Sequence, residues 1–257
     1  MPSLLLPLAL AAALILAAGV YLAAAARPRT GRNLWPAHRS LLWLLGLATI
    51  AAAGLGPLAD AAHERFPAHV AAHLLAGMLA PLLIVLSAPG TLALRTLDVS
   101  RARRLSRLLN SGCLRFLTDP APAAVLNIGS LWVLYATPAS RVMQADGLHY
   151  LLLGHFFVAG YLFTVSIIGI DPAPHRRSFQ LRLAVLVLAI AAHSILAKHI
   201  AGHPPARMPA AAAEQGAMLM YYGGDLLEII LVALFCAQWY RASRPAAAQL
   251  DRRAMTT

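Results

Sequence analysis

The chain has 257 residues, of which 60% are hydrophobic and only 12% charged, with a mean hydropathy of +0.67. That balance excludes an ordinary soluble domain. The net charge of +11 raises nucleic acid as a partner, but the basic residues gather in the loops between apolar runs, where membrane topology accounts for them and no nucleic-acid partner is implied.

A helix needs about 20 apolar residues to cross a bilayer, and seven runs approach that length. The first, 4–26, has no Lys or Arg before it, so it lacks the basic start of a signal peptide and reads as a first span. A loop with Arg27, Arg29, Arg32 and Arg39 leads to the second, 40–59. Both runs are almost free of polar side chains and read as scaffold facing lipid. A short loop with Asp60, His63, Glu64 and Arg65 precedes the third run, 67–89, which opens on His69 and His73. Pro81 and Pro89 predict a kink or an end there. The 90–119 segment mixes Leu and Arg at helical spacing, as in LRTLDVSRARRLSRLLNSGCLRFL, and predicts an amphipathic helix lying on an anionic bilayer surface. The fourth run, 120–137, holds a lone polar Asn127, read as a helix–helix hydrogen bond.

The fifth run, 148–170, carries His149 and His155 and leaves through DPAPHRR, where Asp171 before Pro predicts a turn. The sixth, 180–200, carries His193, Lys198 and His199, with His203 just beyond. The seventh, 217–240, places Met218, Tyr221, Asp225 and Glu228 along one stripe. Cys113 and Cys236 form no CxxC pair, so nothing supports a thiolate metal site.

Orientation follows from the basic residues. Seventeen of the 21 Lys and Arg lie in the 27–39 and 90–119 loops, the fifth-to-sixth connection and the C-terminal tail; Arg65, Arg141, Lys198 and Arg207 lie on the other side. The rule that basic loops stay in the cytoplasm predicts an all-α membrane protein, a single bundle of seven transmembrane helices with its N-terminus outside and its C-terminus cytoplasmic.

On that topology His38 and His175 fall in cytoplasmic loops, and the other eight histidines fall in outer loops or in spans entered from outside. His73, His155, His193 and Asp225 are each about 6–8 residues inside a span, roughly 9–12 Å deep at the rise of an α-helix. His69, His149 and His199 form a second tier nearer the surface. Ionisable groups at such depth are costly unless paired or lining a polar cavity. Converging imidazoles with a carboxylate suit copper, zinc or iron, and Met143, Met208, Met218 and Met220 on the same side add soft donors for Cu(I). The predicted metal-binding set is therefore His69, His73, His149, His155, His193, His199 and Asp225. His63 and His203 read as loop histidines.

Three segments resemble a known family: HVAAHLLAGMLAPLLIVLSAP (69–89), HYLLLGHFFVAGYLFTVSIIGIDP (149–172) and EQGAMLMYYGGDLLEIILVALF (214–235). Their order and content are similar to the CtaG-like membrane proteins that assemble cytochrome c oxidase. The resemblance covers roughly residues 36–242. It implies a multi-pass protein of the bacterial inner membrane that assists maturation of a haem–copper oxidase, with copper delivered to an oxidase subunit and no catalysis of its own. By position it marks His69, His73, His149, His155 and Asp225, with Glu214 and Gln215 at the family's acidic–Gln pair. The sixth-span segment HSILAKHIAGH is richer in histidine than the family pattern. Two other readings fit the residues: a zinc-dependent intramembrane hydrolase using His73, His155, His193 and Asp225, and a b-type cytochrome with bis-His haem ligation.

Overall fold

A computed structural model of the chain describes residues 2–27, 34–137, 148–171, 176–204 and 208–243. Every regular element among them is helical. Arg29, Arg32, Arg141, Met143, Asp146, His175, Arg207, Arg244, Arg252 and Arg253 lie outside the described residues.

Eleven helices follow in order among the described residues. They are α1 (Pro2–Ala25), α2 (Ala37–Gly54), α3 (Pro57–Glu64), α4 (Phe66–Leu86), α5 (Pro89–Thr96), α6 (Val99–Leu109), α7 (Gly112–Leu117), α8 (Pro120–Ala136), α9 (Leu148–Ile168), α10 (Phe179–Gly202) and α11 (Ala210–Ser243). Six of them (α1, α2, α4, α9, α10 and α11) are long and apolar enough to cross a membrane. The fourth predicted span corresponds to α8, which is apolar but shorter. Its 17 residues extend about 25 Å, against an apolar bilayer core of about 30 Å.

Several boundaries differ from the sequence expectation. The second span stops at Gly54, because Gly56 adopts a positive φ of 78° and the 57–64 segment becomes a helix with Pro57 in its first turn. The 90–119 segment forms three short helices: Asp98 and Ser111 accept hydrogen bonds from Arg101 N and Leu114 N and so restart the chain as N-caps. The last helix begins at Ala210, seven residues before the expected start of its span.

Pro81 neither ends nor interrupts α4. A proline lacks the N–H that would bond the carbonyl four residues earlier, and its ring crowds that carbonyl. Here that carbonyl belongs to Gly77, and residues Leu74–Leu79 widen into a π-helical turn that absorbs the crowding. The displaced Gly77 oxygen packs on Gly160 of α9, where a Cβ would overlap it and lie 3.2 Å from Pro81 Cγ. Helix α4 does end at Leu86. Ala88 takes a left-handed φ of 53°, and Pro89 opens α5.

The two ends of the bundle are built differently. At one end, polar side chains hold the backbone. Arg182 Nη1 donates to Ile167 O at 2.7 Å, Gln238 Nε2 to Ile168 O at 2.5 Å, and Arg176 Nη2 to Gly169 O. Together they satisfy carbonyls that the C-terminus of α9 leaves open. The Arg182 guanidinium is 1% exposed and lies over the Phe179 and Phe235 rings. Asp171 does more than start a turn: its carboxylate accepts from Gly90 N at 2.8 Å, Thr91 N at 2.6 Å and Thr91 Oγ1 at 2.6 Å, pinning the start of α5 across 80 residues. Arg177 pairs with Asp119 at 2.6 Å, at the start of α8. We call this the arginine end. The other, the histidine end, gathers α3, the starts of α4, α9 and α11 and the ends of α8 and α10.

Two large apolar layers fill most of the bundle, with two smaller clusters where α2 packs on α4. One layer, nearer the histidine end, includes Phe66, Leu131, Tyr135, Phe156, Leu196 and Met220. The other, nearer the arginine end, includes Leu82, Phe163, Ile167, Leu186, Leu231 and Phe235. Helix α1 exposes Leu5, Leu8, Ile15, Leu16 and Val20 on the outside of the bundle, as a lipid-facing helix must.

The close approach at Gly160 generates a paired prediction. Gly160→Ala forces the Gly77 backbone to move and lowers stability by about 1–3 kcal/mol, the usual cost of overpacking. Gly154→Ala, six residues away with nothing within 4 Å of a Cβ, leaves stability unchanged or slightly raised. Thermal unfolding of both variants in detergent, followed by helical circular dichroism, checks the difference.

Candidate functional site

The i,i+4 spacing of His69 and His73 places both on the face of α4 that turns into the bundle, and both are buried. Helices α9 and α10 bring His149 and His193 to them. The result is a string of rings. His63 on α3 lies 4.3 Å between centroids from His149, and His149 lies 6.4 Å from His69. His73 follows one helical turn deeper and stands 6.5 Å from His193. His193 Nδ1 in turn meets Glu228 Oε1 of α11 at 2.9 Å. The string runs from an exposed ring to residues that are 3% (His73), 2% (His193) and 7% (Glu228) exposed.

Its inner end opens on a cavity of about 40 Å³, lined by His73, Met78, Asn127, His193 and Glu228 among apolar neighbours. That is room for one to a few waters or a small ion. The cavity lies where the two apolar layers meet, since Leu131 of one and Leu82, Phe163, Leu186 and Leu231 of the other also line it. Both π-helical turns border it: Gly77 and Met78 come from Leu74–Leu79, and Asn127 and Ile128 from Val125–Gly129. Such turns aim side chains that a regular helix would direct elsewhere. A smaller cavity of about 10 Å³, between His69, His73 and His149, lies along the string.

Two glycines make space for the rings. A Cβ on Gly77 would lie 3.1 Å from His73 Cε1 and Nδ1, and one on Gly224 would overlap His193 Cε1. Ring nitrogens, His155 Nε2 among them, make up most of the buried side-chain polar atoms without a hydrogen-bond partner among the described residues; Tyr135 OH, Arg182 Nε and Gln238 Oε1 are others. His69 Nε2, both nitrogens of His73, His149 Nε2, His193 Nε2 and Glu228 Oε2 are buried without a hydrogen-bond partner. Buried polar groups are normally paired, because an unmet donor or acceptor costs about 1–3 kcal/mol. Unmet nitrogens lining a cavity therefore mark a place for a ligand.

The other predicted site residues stand elsewhere. His155 is half-buried, with its ring against Phe156. His199 stacks on His203 at 4.7 Å and lies 5.8 Å from Trp132. Asp225 is half-buried and does not line the cavity, and Glu214 and Gln215 are exposed near the start of α11. Among the described residues no three His, Cys, Asp or Glu side chains are placed to hold a metal together, so the quartet of His73, His155, His193 and Asp225 is not assembled.

Glu228 and Asn127, which the sequence reading named but left outside the site, and Met78, which it passed over, complete the cavity lining. Glu228 had a signal: it is the one carboxyl group in the middle of an otherwise apolar stretch, LLEIILVALF, where an unpaired charge has no place.

Comparisons with known proteins agree with this architecture. The family model for the cytochrome c oxidase caa3 assembly factor matches residues 19–242. An uncharacterized protein of Mycobacterium leprae (strain TN) is 29% identical over 96% of this chain and 41% of its own length. Uncharacterized proteins of Mycobacterium bovis and Mycobacterium tuberculosis are each 35% identical over 72% of this chain and 29% of their own lengths. The chain thus spans less than half the length of the curated relatives it matches. No solved structure matches it. The match across residues 19–242 of an all-helical chain with six membrane-length helices places it in the cytochrome c oxidase caa3 assembly factor family.

Proposed function

We propose that the chain carries copper at the histidine end of its bundle and hands it to a haem–copper oxidase subunit, acting as a carrier and not as an enzyme. The observation that supports this most is the histidine string, which leads from exposed His63 past His149 and His69 to buried His73 and His193. Neutral imidazole is a common copper ligand, and successive imidazoles allow a cation to pass by ligand exchange. A carrier must also release its cargo, which suits a few nitrogen donors better than a closed thiolate cage. The oxidase partner comes from the family and copper from the chemistry of the donors. His155, His199 and Asp225 are then outlying groups, to be tested beside the string.

The same reading puts seven crossings in a bacterial inner membrane, with the histidine end outside. Helix α8 supports the seventh crossing despite its length, because it joins the two ends: Asp119 pairs with Arg177 at its start, and Tyr135 meets His69 and Phe66 near its finish. Polar side chains at both termini let the bilayer thin slightly around it.

Two experiments check the proposal. In copper-limited cells, His73→Ala/His193→Ala lowers the copper-loaded oxidase severalfold, and added copper restores it; oxidase copper and activity equal to wild type contradict the carrier role. For orientation, Cys113 is exposed at the arginine end. In a Cys236→Ser background an impermeant maleimide labels it in inside-out vesicles and spares it in intact spheroplasts. Labelling in spheroplasts reverses the topology.

A further inference from the structure

We infer that His73 and His193 form a two-coordinate site selective for Cu(I), with Glu228 acting as the positioning residue that fixes the His193 ring; the inference deepens the carrier reading and rests on it.

The separation of the rings is the first argument. Metal–imidazole bonds are about 2.0–2.1 Å, and a ring nitrogen lies about 1.1 Å from its centroid, so two imidazoles in line through an ion have centroids about 6.3 Å apart. A tetrahedral angle at the ion would bring the centroids to about 5 Å on the same bond lengths. The observed 6.5 Å is the separation a linear site requires, with each ring turning one nitrogen to the ion. The 58° between the ring planes does not count against it, because linear coordination leaves rotation about the ion free.

The donor set is the second. Both nitrogens of His73 and Nε2 of His193 are buried without partners. The described residues offer no third His, Cys, Asp or Glu to complete a site. Zn(II) holds four ligands in its structural sites and at least three from the protein in catalytic ones. Cu(I), a closed-shell d¹⁰ ion, is stable with two.

Charge is the third. An ion in an apolar cavity must be balanced locally. Glu228 as the carboxylate supplies one negative charge beside His193, which balances a monovalent cation and leaves a divalent one half-compensated. With Glu228 ionised, the 2.9 Å contact also sets the tautomer: His193 Nδ1 carries the proton and donates to Oε1, so Nε2 keeps the lone pair that binds. This is the carboxylate–histidine arrangement by which a second residue orients a metal ligand. Gly224 leaves room for the ring in that orientation.

The test uses the purified full chain in nanodiscs, loaded anaerobically with Cu(I) against a chromophoric Cu(I) chelator. The site predicts one Cu(I) per chain. X-ray absorption then gives two nitrogen neighbours, no sulfur and the edge feature of linear Cu(I). His73→Ala and His193→Ala weaken binding at least 100-fold. Glu228→Gln weakens it about 10–100-fold, as outer partners of metal ligands do, while keeping two nitrogens. His155→Ala and His199→Ala bind as wild type. Helical circular dichroism and monodispersity confirm each variant's fold, and His193→Asn replaces His193→Ala if the latter does not fold. Three or more ligands, Zn(II) bound as tightly as Cu(I), or copper retained without His193 overturns the assignment. Copper bound instead through His69 and His149 overturns the site and leaves the carrier reading standing. No copper bound at all, with oxidase copper unchanged in cells, overturns both.

Discussion

A single buried hydrogen bond between His193 of α10 and Glu228 of α11 is the interaction on which the inner half of the histidine end depends. A carboxyl group inside an apolar bundle is costly without a partner. The pairing fixes how α10 and α11 face each other, and it turns the remaining His193 nitrogen toward the cavity shared with His73. The backbone is shaped to the same end. Pro81 frees the Gly77 carbonyl and the π-helical turn accommodates it, while Gly160 lets α9 close on the displaced oxygen. The cavity thus lies where α4 departs from regular helix geometry and α9 packs closely against it.

The two ends of the molecule treat polar groups differently. At the arginine end, open backbone groups are met by named side chains: Arg182, Gln238 and Arg176 on the last carbonyls of α9, and Asp171 on the first amides of α5. At the histidine end, ring nitrogens of His69, His73, His149 and His193 are buried and unmet. Arg182 Nε and Gln238 Oε1 are unmet at the arginine end too, but ring nitrogens make up most of the buried unmet side-chain atoms among the described residues, and those of His69, His73, His149 and His193 belong to residues that line the two cavities of the string.

Much of this was legible in the sequence. Apolar run lengths located every long helix, and the i,i+4 spacing put His69 and His73 on one inward face. Less visible was which face of an all-apolar helix turns inward. Helices α9 and α11 are hydrophobic all round, so periodicity could not separate buried His149 from half-buried His155, or Glu228 from Asp225 on the same stripe. Depth counted from a predicted start also failed for α11, because the helix begins at Ala210 and projects beyond the expected span. Pro81 was visible, but its effect on Gly77 depends on Gly160, 83 residues further along the chain and brought close only by the fold. Asp171 read as a local turn for the same reason: its partners Gly90 and Thr91 are distant in sequence.

The pairing of His193 with Glu228 is open to direct measurement without any cargo. In protein labelled with ¹⁵N in its histidine rings and held in bilayers, solid-state NMR distinguishes protonated from bare ring nitrogens. The account predicts that His193 has a hydrogen-bonded, protonated Nδ1 and a bare Nε2, with the Nδ1 signal moving in Glu228→Gln. A His193 spectrum indifferent to Glu228→Gln, or one showing the proton on Nε2, would contradict it.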